Sequence, residues 1–380
     1  MSSVLSQAKL LKSQKTFTVM GTNRQHQSHK GNAMNETKDL SRREAIALLA
    51  GGTAAGFLAA ETNAHAEEKQ APQAKFDYDV VIVGGGPAGL SAALVLGRSC
   101  RKVLVCDAGK PRNHTSAAVH GFFSRDGISP GELLKIGREQ LEPYAVEWHD
   151  GRVDEAEKVA TGFKVTLGKD KVVVARKLVL ATGVTDKLPD IPGIRDWWGI
   201  GVLHCPFCHG WEVRDEPWAC IAPAEQAVEW VTLLSGWSKS LTYLTNGGPR
   251  PTADQLKWLK DHRVAVREEK IAGLDGKEGK LTGVTFDGGQ PLGVRAVFVL
   301  PESVQRSDLP KKLGCKVLTE GRQAGTIETD AFGATSVPGL YVIGDASSAG
   351  MQSVPGAVSD GSMVGVAVQR ALVKEDVERV

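Results

Sequence analysis

The sequence predicts an α/β fold built around a parallel β-sheet, and three observations support this prediction. The chain has 380 residues, 42% of them hydrophobic, which is enough for about two globular domains. A β-branched run at 78–83 leads directly into a glycine-rich turn and then into a helical pattern at 90–98. Another apolar run, 102–106, follows that helix, so strand, helix and strand alternate as they do around a buried parallel sheet.

The charge of the chain is nearly balanced but unevenly distributed. The chain has 46 Lys and Arg against 44 Asp and Glu, a net charge of +2. Residues 1–66 carry eight basic and four acidic side chains, so the remainder of the chain is slightly acidic. No basic stretch is interleaved with aromatic residues, and we therefore predict no nucleic-acid partner.

Residues 1–66 are predicted to be a targeting segment. Ser-Arg-Arg at 41–43 precedes a short apolar run at 45–60 and an Ala-His-Ala sequence at 64–66. This order is typical of a cleavable signal peptide, and the paired arginines resemble the twin-arginine type. The apolar run is shorter than the roughly 20 residues that cross a bilayer. We expect export, in a bacterium to the periplasm, with no membrane span in the mature chain; a cytoplasmic location is the alternative.

The glycine-rich turn has the spacing of a dinucleotide-binding loop. Gly84, Gly86 and Gly89 form G-x-G-x-x-G between strand and helix, and Asp107 ends the following strand. The first glycine permits the turn, the second lets the backbone approach a pyrophosphate, and the third lets the helix pack on the strand. The helix N-terminus favours phosphates, and the acid can accept hydrogen bonds from a ribose diol. A glycine-rich turn without a ligand is the structural alternative.

A redox-active disulfide is predicted in the sequence His-Cys-Pro-Phe-Cys-His-Gly at 204–210. Two cysteines at this spacing form a readily reduced disulfide, and a neighbouring histidine such as His209 can carry a proton near neutral pH. Three alternatives remain open: a structural disulfide, part of a zinc site, and a c-type haem attachment sequence. The other four cysteines are expected to be packing residues: Cys100, Cys106, Cys220 and Cys315.

Together these motifs resemble the low-molecular-weight thioredoxin reductases, which are FAD-dependent disulfide oxidoreductases, over residues 76–380. The strand and Ala-Thr-Gly turn at 178–183 and the strand ending in Gly-Asp at 335–345 resemble the other FAD motifs of that family. The resemblance implies two Rossmann-like, three-layer domains and a homodimer. Residues 76–187 and 295–380 would form a discontinuous FAD-binding domain, and residues 188–294 an inserted pyridine-nucleotide-like domain that carries the cysteines.

The resemblance also implies a role for each site residue. Cys208 would face the flavin, Cys205 would exchange with an external dithiol or disulfide, and His209, where the family has aspartate, would be the acid/base. His114 and His120 lie where the family lines the flavin and are candidates for proton transfer, or solvated loop residues. No metal ligand is predicted. The FAD-binding residues would be Gly84, Gly86, Pro87, Ala88, Gly89, Asp107, Thr182, Gly183, Gly344, Asp345 and Gln352.

The second nucleotide-binding turn departs from the family pattern. At 218–229 the strand and helix patterns remain, but no glycine occupies the turn, and Glu225 would confront a phosphate. Thr-Asn-Gly-Gly stands at 245–248 in place of a basic pair. Side chains at the glycine positions block the approach of a pyrophosphate, and nothing matches a 2′-phosphate. We predict that this domain has lost NAD(P)H binding.

The function predicted is that of an exported thiol-disulfide oxidoreductase acting as a dithiol oxidase, as in the family branch of gliotoxin- and holomycin-type enzymes. A substrate dithiol would reduce the cysteine pair, and oxygen would be the final acceptor. The substrate would be a small dithiol or a thioredoxin-like protein. Two alternatives are an NAD(P)H-dependent thioredoxin-disulfide reductase and, without catalysis, a flavin electron-transfer partner of a redox protein.

Overall fold

The computed structural model describes residues 75–169, 171–321, 323–349 and 351–379. The targeting segment predicted at 1–66 lies outside these residues, so export stays a prediction. Among the helices of the described part, none is long and apolar enough to cross a membrane.

The described residues form seventeen β-strands and seven α-helices. The strands are β1 Tyr78–Val83, β2 Val103–Asp107, β3 Val146–Asp150, β4 Glu155–Val159, β5 Gly162–Leu167, β6 Lys171–Leu180, β7 Val184–Lys187, β8 Val202–Leu203, β9 Trp218–Ile221, β10 Leu241–Leu244, β11 Ala265–Arg267, β12 Ile271–Lys277, β13 Lys280–Phe286, β14 Leu292–Gly293, β15 Ala296–Val299, β16 Glu302–Gln305 and β17 Leu340–Val342. The helices are α1 Pro87–Arg98, α2 Pro130–Glu139, α3 Pro206–His209, α4 Ala227–Leu234, α5 Ala253–Asp261, α6 Leu309–Lys312 and α7 Val354–Glu378.

The first sheet has a parallel centre in the order β3-β2-β1-β6, with β17 on the other side of β6. β4 and β5 extend it antiparallel along the first half of β6. Val80, Val81 and Ile82 of β1 are fully buried. A strand that is covered on both faces needs apolar side chains at every position, which explains the unbroken β-branched run.

Helices α1 and α7 cover one face of this sheet and lie very close together. A Cβ atom at Gly361 of α7 would lie 2.1 Å from the carbonyl oxygen of Ala88 in α1. The hydroxyl of Ser91 donates a hydrogen bond of 2.7 Å to the carbonyl of Val358 across the same contact. Glycine at position 361 therefore sets the distance between the two helices.

The second sheet is entirely parallel, in the order β11-β10-β9-β15-β8. Trp218 and Phe298 lie on adjacent strands of this sheet with their ring centroids 4.4 Å apart, and both are fully buried. Strands β12, β13 and β14 form a separate antiparallel sheet. The predicted α/β class is thus confirmed. The domain limits stay a prediction, and β15 pairs within the second sheet although the prediction placed it in the returning segment.

Two short antiparallel strands connect the sheets. The chain passes from the first sheet into the second through β7 and returns through β16, and the two strands pair from Val184 opposite Gln305 to Lys187 opposite Glu302. Val184 and Asp186 of β7 line the cavity described next.

Candidate active site

A cavity of about 350 Å³ opens at the carboxyl ends of the parallel strands of the first sheet. Ligands of α/β folds bind at this edge, because the loops that follow the strands meet there. The cavity brings together twelve of the residues predicted from the sequence: Gly84, Gly86, Pro87, Ala88, Asp107, Thr182, Gly183, Cys208, His209, Gly344, Asp345 and Gln352. Gly89 and Cys205, the other two, lie beside the cavity wall without lining it.

The glycine turn is shaped by two distinct requirements. Gly84 has φ +115°, and a Cβ atom there would lie 2.2 Å from the carbonyl oxygen of Ala181. A Cβ at Gly89 would lie 1.9 Å from the carbonyl oxygen of Gly84, so this glycine lets α1 approach the turn. Gly86, in contrast, has ordinary backbone angles, and a Cβ there would meet no atom within 4 Å. Its missing side chain leaves open space at the N-terminus of α1, where backbone N–H groups bind phosphate.

Two further polar groups fit a bound nucleotide. The carboxylate of Asp107 accepts a hydrogen bond of 3.1 Å from the backbone N–H of Gly85, which fixes it at the end of β2. The hydroxyl oxygen of Thr182 is buried and has no hydrogen-bond partner among the described residues. Buried polar atoms nearly always have a partner, so this hydroxyl lacks the one that a ligand in the cavity would supply. The residues present therefore fit FAD.

The two cysteines of the Cys-x-x-Cys sequence form a disulfide at the start of the short helix α3. The Sγ atom of Cys205 caps this helix by accepting a hydrogen bond of 3.1 Å from the backbone N–H of Cys208. Cys208 lines the cavity and Cys205 does not, so the disulfide has one sulfur on the cofactor side. The ring of Phe207, between the two cysteines, is exposed.

His209 follows Cys208 and lines the same cavity. Burial lowers the pKa of its imidazole, the carboxylate of Glu212 opposes this shift, and His120 adds to it. Neutral imidazole is thus the dominant form of His209 at pH 7, and it can accept a proton.

The two loop histidines that the sequence singled out lie in different surroundings. His120 lines the cavity, with ring nitrogens 3.5 Å from carboxylate oxygens of Asp126 and of Glu212. His114 is exposed, outside the cavity lining, and its ring nitrogen lies 3.0 Å from the carbonyl oxygen of Pro111. Only His120 is therefore close to the redox pair.

Arg112 is a site residue that sequence reasoning missed. It makes a two-point contact with the carboxylate of Asp186, at 2.5 and 2.8 Å, and donates to Asp345 at 2.9 Å and to Gln352 at 3.0 Å. Burial tends to raise the pKa of Asp186, but hydrogen bonds and charge from Arg112 bring it below its ordinary value. A lone arginine in a loop carries no signal in sequence, because its partners belong to distant segments.

His204, the residue before Cys205, packs against an aromatic ring. Its ring stacks on Trp198 with the centroids 5.4 Å apart, and it lines the cavity near Arg112. Burial, then the positive charge of Arg112, lowers its pKa to about 4. His204 is therefore neutral at physiological pH. The described residues contain no group of three His, Cys, Asp or Glu side chains arranged to hold a metal ion.

The turn after β9, where a second nucleotide would bind, is hydrogen-bonded to side chains of neighbouring segments. Residues 224–226 form a 3₁₀ turn in which Glu225 is exposed. The carbonyl of Ala222 accepts a hydrogen bond from the hydroxyl of Tyr243, and the carbonyl of Ala224 accepts one from the amide of Gln255. This turn has neither glycines nor a basic side chain for a phosphate.

A nucleotide cradle at the edge of the first sheet, with Cys208 of a Cys-x-x-Cys disulfide lining the same cavity, is typical of an FAD-dependent disulfide oxidoreductase. The chain belongs to the pyridine nucleotide-disulphide oxidoreductase family, whose model matches residues 78–361. Within this family it is a thioredoxin reductase-like enzyme with Rossmann-like folds and FAD as cofactor, which confirms the predicted family, fold, enzyme class and cofactor.

Three relatives illustrate the similarity. The chain is 30% identical over 333 residues to a probable thioredoxin reductase of Arthroderma benhamiae, covering 79% of this chain and 82% of the relative. The crystal structure of a putative thioredoxin reductase TrxB from Bacillus anthracis superposes with a TM-score of 0.74 at 30% identity, covering 79% of this chain and 99% of that one. The crystal structure of HlmI gives 0.73 at 38% identity, covering 79% and 94%.

Proposed function

We propose that this enzyme is a dithiol oxidase, which converts a substrate dithiol into a disulfide and passes the electrons through FAD to oxygen. One observation carries the proposal: Cys208 of the disulfide lines the FAD cavity, whereas the turn for a second nucleotide has no phosphate cradle. This arrangement supports an electron path from thiols to the cofactor, and the missing phosphate cradle argues against NADPH as the reductant.

The proposed exchange begins at Cys205, the sulfur that does not line the cavity. A substrate thiolate attacks its Sγ atom, the Cys205–Cys208 bond breaks, and a mixed disulfide forms while Cys208 leaves as thiolate. The second substrate thiolate attacks the substrate sulfur of this mixed disulfide, which forms the product disulfide and releases Cys205. The substrate has then lost two electrons and two protons, and the cysteine pair has gained them.

Bound FAD supplies a two-electron acceptor that oxygen can reoxidise, with hydrogen peroxide as the second product. The protein holds Cys208 at the cavity and provides His209 as a neutral imidazole beside it. Such a base accepts a proton from a thiol when the thiolate is needed and can return it afterwards. Two protons leave with the two electrons, so the overall reaction consumes one oxygen molecule for each dithiol.

Anaerobic stopped-flow reduction tests this proposal, with dithiothreitol as the probe dithiol and NADPH as the rival reductant. We expect dithiothreitol to bleach the flavin absorbance and air to restore it, with one hydrogen peroxide formed per dithiol oxidised. Rapid bleaching by stoichiometric NADPH would refute the oxidase proposal and support the thioredoxin-disulfide reductase. Electron transfer to a redox protein without dithiol turnover would support the non-enzymatic role.

The proposed setting is the periplasm, reached through the twin-arginine-like segment at 41–66. The absence of a cradle for NAD(P)H supports this setting, because a nicotinamide cofactor is not expected outside the cytoplasm. The homodimer implied by the family resemblance likewise stays a prediction.

A further inference from the structure

The guanidinium of Arg112 joins three segments that are distant in sequence. It lies in the loop after β2, and its contacts are Asp186 and Ser303 on the connecting strands and Asp345 and Gln352 beside the cavity. Its side chain is 16% exposed, and those of Asp186 and Asp345 are 5% and 19% exposed. Each of its three nitrogen atoms donates to at least one of these groups.

The two oxygen atoms of Asp345 are not equivalent. Oδ2 accepts the hydrogen bond of 2.9 Å from Arg112, whereas Oδ1 accepts none from any described residue. The carboxylate lies on the 3₁₀ turn Gly344–Ala346, which lines the cavity. The amide nitrogen of Gln352 lies 3.4 Å from the carbonyl oxygen of Asp345 and is directed at the same turn. One acceptor oxygen is thus held in place without a partner from the protein.

The surroundings of Asp345 raise its pKa, and Arg112 opposes this shift. Burial raises the pKa of Asp345, the charge of Arg112 opposes the shift, and the carboxylate of Asp186 adds to it. Asp360, on α7, is a second acid whose charge interacts with Asp345. His204 is neutral and adds no positive charge. Among the described groups that act on the charge of Asp345, Arg112 is therefore the one cation, and its loss would shift this partly buried carboxyl group further toward the protonated form.

We propose that Arg112 is the positioning residue of the FAD site, which holds the Asp345 carboxylate in place with one oxygen free to accept a hydrogen bond from a hydroxyl group of the cofactor. An ionised acceptor forms stronger hydrogen bonds than a neutral one. The arrangement therefore stabilises the FAD-bound form of the protein relative to the FAD-free form. The inference depends on FAD as the cofactor and is independent of whether oxygen or another acceptor takes the electrons.

A purely structural role is the rival explanation. Arg112 also contacts both connecting strands, and Ser303 accepts from its guanidinium at 3.4 Å while donating to Asp186 at 3.3 Å. If the arginine served only to tie its loop to these strands, its loss would lower the stability of the empty protein. It would not change how FAD binding responds to pH.

The test measures the dissociation constant of FAD by flavin fluorescence in the full-length protein between pH 6 and 9. At pH 7, we expect Arg112→Met to weaken binding about tenfold and Arg112→Lys to weaken it less, because one ammonium can still pair with Asp345. The matched control Ser303→Ala removes an outer contact of the guanidinium and should bind FAD within about twofold of the unaltered protein.

The pH dependence and a double-mutant cycle separate positioning from structure. In Arg112→Met the pKa of Asp345 rises further, so FAD should bind more tightly as the pH increases, whereas the unaltered protein should show little change. In an Asp345→Asn background, Arg112→Met should weaken binding by about twofold at most, because the group through which the arginine acts is gone.

Equal losses from Arg112→Met in both backgrounds, or unchanged affinity in Arg112→Met, would overturn the proposal. If Arg112→Met does not fold, the same cycle is run with Arg112→Lys, for which an equal loss in the two backgrounds has the same meaning. Weaker FAD binding in Ser303→Ala, by as much as in the arginine variants, would favour the structural role instead.

Discussion

The Sγ atom of Cys205 accepts a hydrogen bond of 3.1 Å from the backbone N–H of Cys208, so one cysteine caps the helix turn that carries the other. This contact gives the two sulfurs different surroundings, with Cys208 at the FAD cavity and Cys205 beside it. A backbone N–H that points at a sulfur also stabilises the thiolate form after reduction, which suits Cys205 for exchange.

The first prediction concerns the separate roles of the two cysteines. In Cys208→Ser the Cys205–Cys208 disulfide cannot form, so a dithiol has no sulfur–sulfur bond to attack, and we expect dithiothreitol-dependent oxygen uptake to fall roughly a thousandfold or more. Mass spectrometry after treatment with a monothiol disulfide should find the adduct on Cys205. Absence of an adduct on Cys205 would contradict its role in exchange, and normal oxygen uptake would remove the cysteine pair from the proposed path. Cys100→Ser, at an exposed free cysteine, is the control.

The second prediction concerns the pH dependence of His209. Its base form is populated above its pKa, and burial lowers this pKa, so activity should persist below the ordinary histidine value of about 6.5 before declining. His209→Ala should lower the rate by roughly a hundredfold and remove that acidic decline. The control His262→Ala changes an exposed histidine that stacks on Trp258. An unchanged pH profile in His209→Ala would contradict the role assigned to this residue.

The third prediction concerns Gly86, the glycine that makes room for the ligand. Gly86→Ala adds a Cβ atom where no protein atom lies within 4 Å, so the protein without FAD should unfold at nearly the same temperature. We expect its affinity for FAD to fall at least tenfold, because the methyl group occupies space needed for backbone approach. Gly293→Ala, also without neighbours within 4 Å, is the control. Unaltered FAD affinity in Gly86→Ala would contradict the cradle.

The fourth prediction tests the contact between helices α1 and α7. Gly361→Ala places a Cβ atom 2.1 Å from the backbone of Ala88, so the helices must separate. Overpacking of this kind costs about 1–3 kcal/mol, which outweighs the gain in helix propensity of up to about 1 kcal/mol. Denaturant titration without FAD should show the loss. Gly131→Ala in α2, with open space around it, should be neutral or slightly stabilising. Equal stability of both variants would mean that the helices can adjust without cost.

The fifth prediction concerns the targeting segment. In a bacterium with a twin-arginine pathway, we expect the exported protein to begin after Ala66, which N-terminal sequencing of the purified protein would show. Changing Arg42 and Arg43 together to lysine should leave the uncleaved chain in the cytoplasm. Export that continues unchanged in the double variant would argue for another route, and an uncleaved cytoplasmic parent protein would argue against a signal altogether.

Much of the FAD site could be predicted because its signals are local. The turn at Gly84 needs a positive φ, and the cradle at Gly86 needs a residue without a side chain; the two positions are two residues apart. Cys205 and Cys208 are likewise neighbours along the chain, so their pairing needs no knowledge of the fold. The place of Asp345 could be expected only through family resemblance, because nothing local ties an aspartate at the end of a short strand to a cofactor.

The sequence alone thus determined the α/β class, the nucleotide-binding turn and the cysteine pair, since strand burial, glycine turns and the Cys-x-x-Cys spacing are properties of short segments. Only the tertiary structure decided that Arg112 would meet Asp186, 74 residues away, and Asp345, 233 residues away. Loop side chains have no periodicity, and their partners depend on the order in which the strands pair. For the same reason, only the folded chain distinguished His120, at the cavity, from the exposed His114.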